Sequence, residues 1–213
     1  MLFLYHKLIA MKNIFILYVA PVWLAAYLFL LQQNINNTHH YSVAATADTT
    51  TWIGSLGKLR DAAYKKDKQK VKTFFSFPIM NEANEIWFLV YSNEKQIAAL
   101  PQKIKPFTEK DFDKYYSKII TPEFITALLK INTGQLYKKG NAQTAELKLD
   151  KSTTYKMYAA FDKTAKLLSL NIAYNTISKD EKGEVLDGGE HNIIYQFKVA
   201  GGKIVFKQIR IAG

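Results

Sequence analysis

Four histidines are the first residues to weigh for chemistry, and three of them, His6, His39 and His40, fall in or beside an apolar N-terminal leader. His191 stands alone in the body of the chain, which excludes two-histidine metal sites and zinc-peptidase motifs there. It follows Asp187-Gly188-Gly189-Glu190. Two acids beside a histidine suit acid–base chemistry or a cation site. The glycines equally form a turn, and the same run then reads as an exposed loop entering a strand. A Ser-His-Asp triad would have to use His191, and no Gly-x-Ser-x-Gly elbow accompanies it.

Carboxylates offer a second kind of chemistry. Glu109, Asp111, Asp113 and Glu123 lie close in sequence and could supply a glycosidase-like pair. They also sit where helices should start, and capping accounts for them there. Asp180-Glu181-Lys182-Gly183-Glu184 lacks the alternating Asp/Asn spacing of a calcium loop and reads as a solvated tip. Phosphate-binding glycine motifs are absent. With no cysteine there is no thiolate nucleophile, zinc–thiolate site or disulfide. These residues therefore assign no catalytic group, metal or cofactor. The aromatic residues remain: 13 Phe, 13 Tyr and 3 Trp. Trp87, Tyr115, Tyr116, Tyr158 and Tyr174 suit either a core or the mouth of a pocket lined by their polar tips. Trp87, Tyr116, Tyr158 and His191 form the candidate ligand-binding set.

The elements that must position these residues divide at midchain. Leu56, Leu59, Ala63, Val71, Phe74 and Phe75 make Gly57 to Phe77 helical material around a polar middle, Lys65 to Lys72. That lysine run is a solvated helix face, a turn between two short helices, or a binding patch. Phe77-Pro78 ends the helical region. Glu85 to Tyr91, apolar, aromatic and β-branched, reads as a buried strand, and Ala98 to Pro106 as irregular. Thr108 caps a helix from Glu109 to Lys118, with Phe107 and Phe112 stapling its entry. Thr121-Pro122-Glu123 starts another, with Ile120 against Ile125, and this helix should stop between Lys130 and Thr133, before Gly134.

Beyond that point the period becomes two. Tyr155, Met157 and Phe161 share one side of a strand, as do Leu168, Leu170, Ile172 and Tyr174 of the next, and Ile193, Tyr195, Phe197 and Val199 of a third. Lys203 to Ile211 is the last strand. Asp162 to Lys166 and Gly201-Gly202 make hairpin turns, and Ile177 to Glu190 reads as a long charged loop. Helices followed by antiparallel hairpins give an α+β domain with helices packed on one face of a sheet.

The leader decides the expected address. Asn13 to Leu31 is an uncharged apolar run, close to the ~20 residues that cross a bilayer; Pro21 within it is tolerable in a membrane helix. Lys7 and Lys12 precede the run and no Lys or Arg follows before Lys58, which places the N-terminus in the cytoplasm and the rest outside. Residues 1–47 are thus a signal peptide or a single membrane anchor with a polar linker, and 48–213 an exported domain. Ala45-Thr46-Ala47 suits signal peptidase, whereas the length of the apolar run suits a retained anchor. Met11-Lys12 is an alternative start to Met1. The whole chain has 29 basic and 18 acidic residues, net +11; without Lys7 and Lys12 the exported part keeps +9. Such a balance favours anionic partners. The exported address and the presence of only two arginines, Arg60 and Arg210, argue against nucleic acid.

Val71 to Ile79, VKTFFSFPI, followed by Phe107 to Phe124, FTEKDFDKYYSKIITPEF, resembles exported bacterial proteins of the cystatin-like and nuclear-transport-factor-two-like class. The resemblance implies a cone in which a curved sheet wraps around helices. The class spans isomerases, dehydratases and delivery factors, so it implies no single function. The expected role is non-enzymatic binding of an envelope protein or a small ligand outside the cytoplasm. An immunity protein against a delivered toxin is one form of it. A cone-fold enzyme using His191 or a buried carboxylate, and an anchored structural subunit, are the alternatives.

Overall fold

The computed structural model describes residues 51–179 and 185–213. The leader, the Ala45-Thr46-Ala47 junction, His39-His40 and the Asp180 to Glu184 tip lie outside the described residues. No helix among those described is long and apolar enough to cross a membrane.

The described residues open with helix α1, Trp52–Tyr64, where Thr51 Oγ1 accepts the Gly54 N–H at 3.3 Å. Ile53, Leu56, Leu59, Ala62 and Ala63 recur at helical spacing and bury one face. The helix ends at Lys65, and Asp67 caps a separate short helix α2, Lys68–Lys72. Of the readings open for the lysine run, the structure takes the turn between two helices. Phe77-Pro78, a cis peptide, follows.

Glu85 to Tyr91 is not the strand its composition suggests. A 3-10 turn, Glu82–Asn84, leads into helix α3, Glu85–Val90. Ile86, Trp87 and Val90 are buried on one helical face. A short apolar run has no periodicity that separates a buried strand from a buried helix, so tertiary burial overrides the β propensities. Helix α4, Glu94–Ala98, and an irregular stretch complete this half.

Helix α5, Glu109–Ile119, opens on a full capping box. Thr108 Oγ1 accepts the Asp111 N–H, and the Asp111 carboxylate accepts the Thr108 N–H at 2.9 Å. Phe107 and Phe112 are both fully buried, as a staple requires. Helix α6, Pro122–Lys130, has Thr121 as cap and Pro at its first position. It stops at Lys130, before Gly134, as expected, but a further helix follows where the period was expected to become two. Asn132 Oδ1 accepts the Gln135 N–H at 2.8 Å and starts helix α7, Thr133–Lys139, which carries Gly134 inside it. The terminating glycine is Gly140, at φ 77°.

Six antiparallel strands follow: β1, Asn141–Gln143; β2, Leu147–Lys148; β3, Thr153–Asp162; β4, Leu167–Lys179; β5, Val185–Ala200; and β6, Lys203–Ala212. Their order is β1-β3-β4-β5-β6, with β2 also on β3. The fold is α+β. Both hairpin turns stand where expected, and Gly201 and Gly202 adopt φ of 54° and 72°. The long charged loop, by contrast, is mostly strand. β4 and β5 stay paired out to Lys179 and Val185, with a register shift between Thr176 and Ser178. Charge argues only against a buried strand, not against an antiparallel ribbon.

Alternation holds through the sheet. Tyr155, Met157 and Ala159, then Leu168, Leu170, Ile172 and Tyr174, then Tyr195, Phe197 and Val199 are buried on the helix-facing side. Tyr195 donates its hydroxyl to the Ile119 carbonyl of α5 at 2.8 Å and stacks near Phe124 of α6, ring centroids 4.3 Å apart. Full burial pushes the Tyr195 phenol far above its usual pKa. The outer edge of β6 is closed by the helical half: Ser55 Oγ, the Phe74 carbonyl and Asn81 Oδ1 accept the N–H groups of Ile204, Phe206 and Ile209. Asn81 Nδ2 also donates to the Ile209 carbonyl. An edge satisfied in this way is a poor template for further strands.

Candidate functional site

The four residues singled out for a pocket are distributed over four places. Trp87 is 2% exposed beneath α3, and its Nε1–H donates to the Lys105 carbonyl at 2.9 Å. Tyr116 of α5 lies edge-on to Phe112 at 5.5 Å, and its enclosed hydroxyl has no hydrogen-bond partner among the described residues. Burial raises its pKa. Tyr158 projects from the opposite face of the sheet and is 42% exposed. The reason is parity: Tyr158 is one residue removed from the buried Met157, and successive strand side chains point to opposite faces.

His191 is a strand residue rather than the end of a loop. It pairs in register with Tyr174 on β4, and the two rings stack at 4.5 Å with 4° between their planes. Tyr174 in turn stacks on Tyr155 at 5.8 Å, so three rings from adjacent strands form a ladder at one end of the helix-facing side. Burial holds the Tyr174 phenol up to about 12, with the nearby Glu123 charge adding to the shift. Among the described residues, no ion pair includes His191 and no cluster of His, Asp and Glu is arranged to hold a metal.

The carboxylates considered for acid–base work are engaged locally. Asp113 pairs with Lys72 at 2.8 Å and Lys68 at 3.2 Å, and Glu109 with Lys72 at 3.1 Å. Hydrogen bonding from Lys72 lowers the Asp113 pKa and raises that of Lys72. Asp111 closes the capping box, and Glu123 lies in the first turn of α6. The same pairs absorb two lysines of the Lys65 to Lys72 run.

Tyr158 does line a depression. On the face away from the helices, a groove of about 240 Å³ is bounded by Glu146, Lys156, Tyr158, Asn175, Glu190 and Asn192, among others. Register builds it: Thr154, Asn175 and Glu190 form one cross-strand row, and Lys156, Ala173 and Asn192 the next. The side chains of this face from β3 to β5 are half-buried or exposed. Glu146, Lys156 and Glu190 have no ion-pair partner among the described residues. The groove thus offers hydroxyls, amides, two carboxylates and one ammonium, a set that suits hydrogen bonding to a polar ligand or a protein segment. Glu190 belonged to the supposed charged loop, so only the pairing of β4 with β5 exposes its part in the groove.

No protein-family model matches the chain, and no curated protein matches it.

Proposed function

We propose that the chain is a non-enzymatic extracytoplasmic binding protein that takes a protein segment or small polar ligand on the sheet face bearing Tyr158. The observation that carries this reading is the groove, built by three strands on the face opposite the helices and lined by donors and acceptors without ion-pair partners among the described residues. Aromatic rings with a polar tip and flanking amides are common equipment for recognition surfaces. The extracytoplasmic part rests on the leader, its apolar length and its flanking lysines. The finer fold reading, a cystatin-like cone, draws support from helices gathered on one side of a single antiparallel sheet with register shifts in β4–β5 and β5–β6.

Photo-crosslinking in cells tests the site. A benzoylphenylalanine placed at Tyr158 of the full chain should give a discrete adduct that the same probe at Tyr64, an exposed position on α1, does not give. Identical adducts from both positions, or none from Tyr158 together with no co-purifying small molecule in native mass spectrometry, would sink the proposal. Sequencing the N-terminus of the mature protein and protease digestion of intact spheroplasts test the address independently.

A further inference from the structure

Three backbone irregularities converge on one aromatic cluster in the helical half. Ala83 and Asn84 adopt φ of 51° and 60°, a left-handed pair without glycine, and α5 departs from helical geometry at Tyr115, φ −108° and ψ 16°. Unusual backbone of this kind persists only where its surroundings hold it. Asn84 shows what holds it: the side chain donates to the carbonyls of Pro101 and Lys103 at 3.0 and 3.2 Å and accepts the Lys105 N–H at 2.7 Å. Trp87 Nε1 adds its bond to the Lys105 carbonyl. The backbone of Lys105 is therefore fastened on both sides by buried residues.

Its side chain is equally placed. The half-buried Lys105 ammonium lies 4.1 Å from the Trp87 ring centroid and 5.3 Å from that of Tyr91, and donates to Tyr91 Oη at 2.7 Å. Tyr115 stands edge-on to both rings, 6.4 Å from Trp87 and 6.3 Å from Tyr91, and carries the Lys114 ammonium 4.7 Å above its own ring. Lys68, Lys70 and Lys72 each have a carboxylate partner; among the described residues Lys105 and Lys114 have none. Lys105 is half-buried and Lys114 exposed, and for neither does an aromatic face replace a counter-charge. The donors left over are specific. An ammonium has three N–H groups and Lys105 uses one on Tyr91, while Tyr91 Oη accepts that bond and keeps its own O–H to donate.

We propose that Lys105, Lys114 and the Tyr91 hydroxyl form a binding site for a phosphoryl oxyanion. Two lysines act as point charges and lack the planar fork with which arginine grips a carboxylate, so a tetrahedral oxyanion fits the donor set better. The site lies on elements other than the strands that build the Tyr158 groove and stands or falls separately from it.

The indole N–H of Trp87, which donates to the Lys105 carbonyl, is the reporter. The full chain in a non-ionic maltoside detergent is titrated with inorganic phosphate, then with mixed micelles carrying phosphatidylglycerol against mixed micelles carrying phosphatidylcholine, at constant ionic strength. The Trp87 indole resonance is assigned with Trp87→Phe. A saturable shift with phosphate marks free phosphate as a ligand, and one seen only with phosphatidylglycerol marks the headgroup. In either case Lys105→Met and Lys114→Met should each weaken binding about tenfold, and Lys105→Arg should weaken it less. The proposal is overturned if neither probe shifts the resonance, if chloride shifts it equally, or if Lys114→Met, which leaves the Lys105 bonds in place, binds as the parent does.

Discussion

Met157 and Tyr158 are neighbours on β3, yet one is fully buried against the helices and the other lines a groove that faces away from them. The two faces of this sheet differ in how they treat polarity. On the helix side, the Tyr195 hydroxyl finds the Ile119 carbonyl and stops there. On the other side, Glu146, Lys156 and Glu190 are left without ion-pair partners among the described residues. Satisfied polar groups hold a fold together, whereas unsatisfied ones held at a surface are available to a second molecule.

Substitutions that probe each face should separate these roles. The largest effect is expected from Leu170→Ala on the helix side, a loss of about 2–5 kcal/mol in urea denaturation from lost burial and a cavity. A loss below about 1 kcal/mol would show that this face is loosely packed. Asn81→Ala removes both side-chain bonds to Ile209 at the β6 edge. It should cost about 1–3 kcal/mol and promote self-association detectable by size exclusion, since an exposed edge recruits strands. Unchanged stability and sizing would mean that the edge is protected by Ser55 and Phe74 alone.

An alkaline titration sharpens the comparison with less perturbation. The Tyr174 phenol is raised from 10.0 to about 12 in the folded protein. A folded pKa above the unfolded one means that the native state binds the extra proton between those values. The associated stability is complete below pH ~10 and is lost as pH rises through about 12. Absorbance at 295 nm should show the helix-side Tyr174 ionising late, near pH about 12, with Tyr174→Phe removing part of the alkaline loss. Early ionisation of Tyr174 would place it in solvent. The smallest effect belongs to Tyr158→Ala, which should stay within about 0.5 kcal/mol of the parent while abolishing the binding proposed for the groove. A severe loss of stability would make Tyr158 structural.

Much of this was legible in the sequence because it is local. Thr108, Asp111, Thr121 and Pro122 carry their capping roles in their spacing, Gly201-Gly202 declares its turn, and the alternation in β3 to β5 states which side chains face inward. Trp87 was misplaced for a physical reason: six apolar residues satisfy a buried strand and a buried helix alike, and the choice depends on what packs around them. Helix α7 is missed by the sequence pattern because its Asn132 cap offsets the cost of one glycine, Gly134, within a helix.

By itself the sequence determined the α+β class, the starts of α5 and α6, the β3–β4 and β5–β6 hairpin turns and the inward face of β3, β4 and β5, since all of these depend on neighbours within a few positions. Only the tertiary structure decided that Tyr158 and His191 look to opposite sides, that Asn81 closes an edge 128 residues away, and that Asn84 and Trp87 fix Lys105 above two aromatic rings. Those arrangements depend on strand register and on bonds between distant segments, which no local pattern encodes.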